Sequence, residues 1–125
     1  DAPLVNVRLR KAVKRGARVF IVGPEWETTF PATFLGADAA VLADLPAAVT
    51  EAFAAAQRPA IILGPAGFGA GLLGPALRLA HQLGVVKDGW NGFNALHLAA
   101  ARMGALMLGF AQKGGIADIV RAQPK

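Results

Sequence analysis

A short apolar run in the middle of the chain, Ala60 to Leu63, most constrains the fold. Pro59 precedes this run, and Gly64 and Pro65 follow it. An apolar run of this length between turn residues is typical of a strand buried on both faces, as in a parallel sheet. Leucines then recur at helical spacing from Leu72 to Leu83. We therefore predict a buried central strand and, after a Gly/Pro-rich turn, a helix that covers the sheet.

A helix and a second strand are predicted before this centre. Residues Pro3 to Arg15 carry an apolar stripe, with Asp1 suited to the helix start and Gly16 to its end. Residues Ala17 to Val22 are β-branched and aromatic and are followed by Gly-Pro, which favours a strand.

The connection between the two predicted strands is long. Glu25 to Leu45 has no regular period, and we interpret it as a loop anchored by its aromatic residues, with one helical turn at Ala39 to Ala43. Asp44 is placed to cap a helix from Pro46 to Gln57, which ends before the central strand.

The C-terminal third is predicted to be helical. After a loop from Val85 to Gly92, Asn91 or Asn94 would cap the longest helical pattern, Ala95 to Leu108. That helix is apolar almost all round, so it requires a covering surface. A last short helix is predicted from Ile116 to Ala122.

The order of these elements predicts an α/β fold: a three-layer, Rossmann-like fragment with a short parallel sheet flanked by helices. Two strands are fewer than the roughly four to six of a usual sheet. We therefore expect residues 1–125 to be a single partial domain excised from a larger protein. Uncovered strand edges predict self-association of the isolated fragment.

The composition limits the chemistry of the chain. It contains no cysteine, which excludes disulfides, zinc-thiolate sites and iron-sulfur ligation by this segment. Serine and tyrosine are also absent, so the hydroxyl nucleophiles are limited to four threonines, Thr28, Thr29, Thr33 and Thr50. No apolar run reaches the roughly 18 residues of a membrane helix, and the start lacks a signal-peptide pattern.

Basic residues are concentrated in one stretch near the N-terminus. Six of them fall within eleven residues: Arg8, Arg10, Lys11, Lys14, Arg15 and Arg18. We interpret the run as a solvated helix face or a face that meets an acidic neighbour. A nucleic-acid-binding module is the other hypothesis, although no aromatic residues interleave the charges as stacking platforms.

Two patterns are weak candidates for ligand sites. Gly69, Gly71 and Gly74 satisfy GxGxxG, but the motif begins five residues after Gly64, so a glycine-rich helix start is favoured over a dinucleotide site. His81 and His97 lie on separate predicted helices without a paired carboxylate, so packed, hydrogen-bonded histidines are favoured over metal ligands.

The carboxylates also give no site. Glu25 and Glu27 flank Trp26 on a loop, and without a partner base we interpret them as solvated. The aspartates Asp38, Asp88 and Asp118 are interpreted as turn or cap residues. No catalytic, cofactor-binding or metal-binding residue is predicted in this chain.

Two long segments resemble one known family. The segments Ala2 to Pro24 and Asp88 to Phe110 are similar to the large iron-sulfur subunit of proton-pumping NADH:quinone oxidoreductase, which is respiratory complex I. The string from Trp90 to His97, WNGFNALH, is the most specific part, and Arg58 to Gly64 falls on the family's central strand. Met107 stands where the family commonly has aspartate.

The resemblance implies a structural, non-catalytic role in electron transfer from NADH to quinone. The family's C-terminal region is similar to molybdopterin oxidoreductases but is taken to have lost the pterin and metal, and its iron-sulfur clusters belong to the N-terminal part. Expected partners are other peripheral-arm subunits, without nucleic acid or membrane insertion, on the cytoplasmic side of the bacterial inner membrane. The alternative is a pterin-cofactor-binding portion of an active molybdenum or tungsten oxidoreductase, with Gly64 to Gly74 near a cofactor phosphate.

Overall fold

The computed structural model describes residues 2–110 together with Asp118, Val120 and Arg121. The five α-helices of this part are α1 (Pro3–Val13), α2 (Ala47–Ala55), α3 (Pro65–Gly69), α4 (Leu73–Gln82) and α5 (Arg102–Met107), and a 3₁₀ helix spans Ala39–Ala43. Its six strands are β1 (Phe20–Val22), β2 (Thr33–Gly36), β3 (Ile61–Leu63), β4 (Val86–Lys87), β5 (Trp90–Asn91) and β6 (Phe93–Ala95). Four of the seven residues of the predicted helix from Ile116 to Ala122, and Asp1 with its predicted role, lie outside the described residues.

The first helix forms where the sequence predicts it. Pro3 occupies the first turn of α1, where a missing N–H costs no hydrogen bond. The helix ends at Val13, two residues earlier than predicted, and Gly16 closes the turn with a φ of 94°. That left-handed conformation suits glycine because it has no Cβ.

β1 and β2 form a parallel pair. Phe20 lies opposite Thr33, and the register shifts between Ile21 and Val22. β1 confirms the strand predicted at Ala17 to Val22. The prediction of a loop from Glu25 to Leu45 was wrong at Thr33–Gly36, because pairing with β1 makes this stretch a strand.

In the middle of the chain, the N-cap of one helix differs from the prediction. The predicted helical turn at Ala39–Ala43 is confirmed, and the Asp38 carboxylate accepts a hydrogen bond from the Ala40 N–H at 2.8 Å. The prediction that Asp44 caps the next helix was wrong, since α2 has Pro46 at its N-cap and no side-chain cap there. Pro46 already fixes the backbone for helix entry.

The central strand exists but is covered on one face only. Leu63 is buried, whereas Ile62 is 39% exposed, so the prediction of a strand buried on both faces was wrong. β3 pairs in parallel with β6, with Ile61 opposite Phe93. The helix predicted from Leu72 to Leu83 is confirmed as α4, which packs against β3 with Ala76 and Ala80 buried. The Gly/Pro-rich turn predicted before it contains a short helix, α3, so that part of the prediction was wrong.

The long C-terminal helix prediction was wrong. Ala95, its expected first residue, belongs to β6, and helix α5 covers only Arg102–Met107. Asn91 and Asn94 are not helix caps. The side-chain oxygen Oδ1 of Asn91 accepts from the Phe93 N–H at 3.0 Å, and the side-chain amide of Asn94 donates to the Gly92 carbonyl oxygen at 2.9 Å. The predicted loop from Val85 to Gly92 contains the antiparallel pair β4–β5.

The predicted α/β class is confirmed, with short parallel strand pairs flanked by helices. The strands of the described part form three separate two-stranded sheets, β1–β2, β3–β6 and β4–β5, where the sequence predicted two strands.

The hydrophobic core is small. In the described part it consists of five buried residues, Val49, Leu63, Ala76, Ala80 and Val85. Several large apolar side chains near the C-terminal end of the described part are more than three-quarters exposed: Leu98, Met107, Leu108 and Phe110. The described residues therefore leave much apolar surface uncovered.

Candidate functional site

The carboxyl ends of β3 and β6 form the edge where a ligand site is expected in an α/β fold. Ligands of open parallel sheets bind in the crevice outside the carboxyl ends of the strands. Here the Leu96 N–H donates to the Leu63 carbonyl oxygen at 2.9 Å, which extends the pairing one residue beyond β6. Gly64 and His97 then follow the two strands at this edge.

His97 is the polar side chain that the fold brings to this edge. Its ring lies 5.2 Å from the ring of Phe68 in α3, at an interplanar angle of 30°. The Nδ1 atom is enclosed and has no hydrogen-bond partner among the described residues. His97 is therefore packed, as predicted, but its Nδ1 lacks the expected hydrogen bond and the residue follows a strand rather than lying on a helix. His81 is exposed in the last turn of α4.

The GxGxxG motif does not form a phosphate-binding turn. Gly69 ends α3, Gly71 lies in the following turn with a φ of 71°, and Gly74 is in the first turn of α4. The motif thus connects two helices instead of following a strand. The real strand-to-helix turn is at Gly64, where Pro65 supplies no N–H to a phosphate.

The carboxylates and threonines show no catalytic pairing in the described residues. Glu25 and Glu27 are exposed on the loop after β1, and Glu25 borders a shallow depression of about 280 Å³ beside β2. The Thr28 hydroxyl donates to the Phe30 carbonyl oxygen at 2.6 Å, and the Thr50 hydroxyl donates to the Ala47 carbonyl oxygen at 2.8 Å. These hydroxyl protons are engaged by backbone rather than by a general base, so the two threonines lack the activation that a nucleophile needs.

The remaining aspartates have local roles. Asp38 caps the 3₁₀ helix, as predicted, and Asp88 lies in the turn between β4 and β5, also as predicted. Asp118 forms an exposed ion pair with Arg121 at 3.2 Å. Among the described residues, no group of three or more histidine or acidic side chains is close enough to hold a metal ion.

A groove that the sequence did not predict runs between the 3₁₀ helix and α4. It has a volume of about 460 Å³ and is lined mainly by alanine and leucine, with Arg78 and Gln82 one helical turn apart on α4. The signal that could have indicated it is this polar pair at i and i+4 beside an apolar stripe. The groove is open, and Arg78 is the one charged residue among those that line it. The lining therefore indicates no particular reaction or ligand.

The six basic residues between Arg8 and Arg18 are all exposed. The guanidinium of Arg18 lies 5.0 Å from the centre of the Phe20 ring, a cation-π contact that fixes this side chain near β1. The other five cations extend from α1 and the turn that follows it. They form the largest concentration of like charge in the sequence.

Comparison of the sequence with known proteins assigns the chain to a family. The sequence model of the family described as molybdopterin oxidoreductase matches residues 1–124. The chain belongs to the molybdopterin oxidoreductase family.

Three relatives of the chain are respiratory-enzyme subunits by name. The G subunit of NADH-quinone oxidoreductase of Rickettsia prowazekii is 33% identical over 117 residues, which is 87% of this chain and 17% of that protein. The mitochondrial 78 kDa subunit of NADH-ubiquinone oxidoreductase of Neurospora crassa is 31% identical over 136 residues, 100% of this chain and 18% of that protein. The 75 kDa subunit of NADH-ubiquinone oxidoreductase of Reclinomonas americana is 31% identical over 87% of this chain and 17% of that protein. The chain thus spans less than one-fifth of the length of these relatives.

The family name implies a molybdopterin, and the described residues do not fit that group. A helix that follows a strand can bind a phosphate through its first backbone N–H groups, but α3 begins with a proline and has only five residues. The glycine motif is displaced to the α3–α4 connection. These 125 residues also contain no cysteine or serine, so this segment offers no thiolate or serine oxygen as a metal ligand.

Across residues 2–110 and the three described positions beyond them, every helix is too short or too polar to cross a membrane.

Proposed function

We propose that this chain is a structural, non-catalytic part of the large peripheral-arm subunit of NADH:quinone oxidoreductase, the complex that transfers electrons from NADH to quinone. The observation that carries the proposal is the similarity of 31–33% identity over 87–100% of the chain to proteins named as that subunit. The resemblance of Trp90 to His97 to the same subunit supports it independently of overall identity.

The use of polar side chains supports a scaffold role. The described hydrogen bonds of asparagine, threonine and tryptophan side chains hold backbone turns or other side chains in place. The carboxylates Glu25 and Glu27 face solvent, and His81 is exposed on a different element from His97. A general acid or base must lie within hydrogen-bond reach of the proton that it transfers, which favours a cleft over a solvent-facing position. The arrangement of these side chains therefore supports a structural role rather than a catalytic one.

The rest of the assignment follows from the scaffold role. The iron-sulfur clusters of the parent subunit would be bound by its N-terminal part, and this chain would bind no cofactor. Its partners would be other peripheral-arm subunits. The subunit would lie on the cytoplasmic side of the bacterial inner membrane, peripheral to it.

The experiment that tests the proposal separates an effect on the catalytic rate from an effect on the assembly of the complex. Glu25→Gln, Glu27→Gln and His81→Gln are introduced into the full-length subunit, and the NADH:quinone rate per assembled complex is measured. We expect a rate within about twofold of the unchanged complex, because none of these groups contacts reacting atoms. A loss of about a hundredfold or more in a fully assembled complex, the loss typical of a missing general acid or base, would contradict the proposal.

The second candidate is a pterin-binding part of an active molybdenum or tungsten oxidoreductase. The match to the molybdopterin oxidoreductase family favours this candidate. Molybdenum, tungsten and pterin are therefore measured in the purified full-length subunit. Stoichiometric metal and pterin would overturn the scaffold proposal, and their absence from an active complex would support it.

A further inference from the structure

We propose that the outer face of α1 docks on an acidic, partly aliphatic surface of another protein. This basic face consists of Leu4, Val7, Arg8, Lys11, Lys14 and Arg15. This docking function is independent of the scaffold role, since an active pterin enzyme could use the same face.

Helix geometry places cationic and aliphatic side chains on one line. Leu4, Val7, Lys11 and Lys14 are separated by three or four residues, so they follow one another along one side of α1. Leu4 is 76% exposed and Val7 is 59% exposed. The opposite side of the helix, which includes Val5 and Leu9, is half-buried. The helix therefore has one side partly covered by its own protein and one side open.

The positive charge of the basic face is not balanced within the described structure. The ion pair found among the described residues is Asp118 with Arg121, which does not involve α1. No acidic residue occurs from Ala2 to Pro24. Lys11 also has like charges at Arg8, Lys14 and Arg15, three or four residues away, and such pairs destabilise a helix. A surface with negative charge would remove this repulsion.

The helix dipole explains only part of the pattern. Cations in the last turn of a helix are stabilised by the carbonyl groups there, which accounts for Lys11 and Lys14. Arg8 lies near the middle of α1, and the dipole gives no reason for Leu4 and Val7 to be exposed. A docking surface accounts for both groups.

The composition of the basic face favours protein over nucleic acid or lipid. Single-stranded nucleic acid is bound with aromatic stacking platforms, and no aromatic residue precedes Phe20 in the sequence. Helices that lie on membranes carry a broad apolar face with Trp, Phe or Leu turned toward the lipid. In α1 the broader apolar side is half-buried against its own protein. Two aliphatic anchors among cations match the groove binding of one helix by another protein.

Direct binding tests the proposal with three probes, each supplied at the same total concentration of negative charge. The full-length subunit is titrated with a Glu/Leu helical peptide, an RNA oligonucleotide and phosphatidylserine vesicles. We expect the peptide to bind about tenfold more tightly than the other two. Tighter binding of RNA or of the vesicles, lost with the substitutions below, would overturn the proposal.

Charge substitution locates the binding to the basic face. Lys11→Gln, Lys14→Gln and Arg15→Gln are combined, because glutamine keeps the helix propensity of these positions. We expect this variant to bind the peptide about tenfold more weakly at low salt, with the difference shrinking at high salt. Lys87→Gln, an exposed lysine in β4, serves as the matched control and should bind normally. Equal binding by the triple variant and the control would overturn the proposal.

The aliphatic anchors have a separate signature. Leu4→Ala with Val7→Ala should weaken binding of the Glu/Leu peptide about tenfold at both low and high salt, because an apolar contact is not screened. Poly-glutamate without leucine should bind this variant and the unchanged protein equally. Loss of binding to poly-glutamate as well would show a change in the helix rather than in the contact and would contradict the assignment.

Discussion

The indole N–H of Trp90 donates a hydrogen bond to the carbonyl oxygen of Pro59 at 2.8 Å. This bond fixes β5 against the residues that lead into β3, across 31 positions of the sequence. The guanidinium of Arg58 lies 5.4 Å from the centre of the same Trp90 ring. Gly92 lies next to this contact, and its carbonyl oxygen accepts from the Ile61 N–H at 3.0 Å. The most specific part of the family resemblance, Trp90 to His97, therefore includes the residues that hold β3 in place.

Removal of this bond should loosen β3. Trp90→Phe keeps an aromatic ring beside Arg58 but leaves the Pro59 carbonyl oxygen without this donor. We expect a loss of about 1–2 kcal/mol in local stability. Hydrogen exchange of the β3 amides in the full-length subunit measures it. Trp26→Phe is the control, because Trp26 is 56% exposed and its edge-to-face contact with Phe34 survives the change. Equal exchange rates in the two variants would show that the bond contributes nothing.

A side chain at position 92 should not fit. The Cβ of Gly92→Ala would collide with the Pro59 carbonyl oxygen and would lie 2.7 Å from Trp90 Nε1 and 3.1 Å from Val85 Cγ1. Because the first obstacle is backbone, the strands must separate, which costs about 2–3 kcal/mol. Hydrogen exchange of the β3 amides and the yield of assembled complex measure this cost. We expect the β3 amides to exchange faster and the yield to fall.

Gly69→Ala provides the comparison for this change, since a Cβ there meets no atom within 4 Å. We expect it to be neutral or slightly stabilising. If Gly92→Ala were also neutral or stabilising, the close approach of Gly92 to the Pro59 carbonyl oxygen would be contradicted.

The small core makes each buried residue important. Val85 is 0% exposed, so Val85→Ala removes two methyl groups from a site that cannot refill easily. We expect a loss of about 2 kcal/mol in the free energy of unfolding. Val86→Ala changes the next residue, which is 49% exposed, and should stay within about 0.5 kcal/mol. Denaturant unfolding followed by tryptophan fluorescence compares the two, and a larger effect at position 86 would contradict the burial of Val85.

His97 should tolerate loss of its nitrogen atoms. His97→Phe removes the enclosed Nδ1, which has no hydrogen-bond partner among the described residues, and keeps a ring against Phe68. Removal of an unpaired buried polar atom is expected to be neutral or stabilising. The melting temperature should be unchanged or higher, and the NADH:quinone rate per assembled complex should be retained. A large loss of rate without a loss of assembly would instead give His97 a chemical role.

Several elements were predictable because proline and glycine mark their ends. Pro3 and Gly16 bound α1 and the turn after it, and Pro59 and Gly64 bound the central strand. These residues act through local backbone geometry, which depends on the sequence alone. The 3₁₀ helix at Ala39–Ala43 is also held locally, since the carboxylate of Asp38 caps it.

The missed strands depend on partners far away in the sequence. β6 is Phe-Asn-Ala, a sequence with little strand preference, and it is extended because it pairs with β3. The alanine-rich segment after Asn94 matched a helical period largely because alanine is compatible with any face of a helix. β2 likewise becomes a strand through β1. Pairing over such distances is not encoded in local propensity.

The site itself was predictable mainly through the residue inventory. A chain without cysteine, serine or tyrosine has few reactive groups, and this follows from the sequence directly. The contacts of His97 with Phe68 and of Trp90 with Pro59 required the fold, because each joins segments that are distant in sequence.

In the described structure each strand has a single strand neighbour, which leaves the outer N–H and C=O groups of β2 and β6 able to accept another strand. Further strands can therefore be added to these sheets without a change in the residues already present. A strand contributed by another stretch of a longer polypeptide would add beside β2 or β6 while the existing residues keep their conformation. Addition of strands at these sheet edges explains in physical terms how proteins of very different length can contain the same segment.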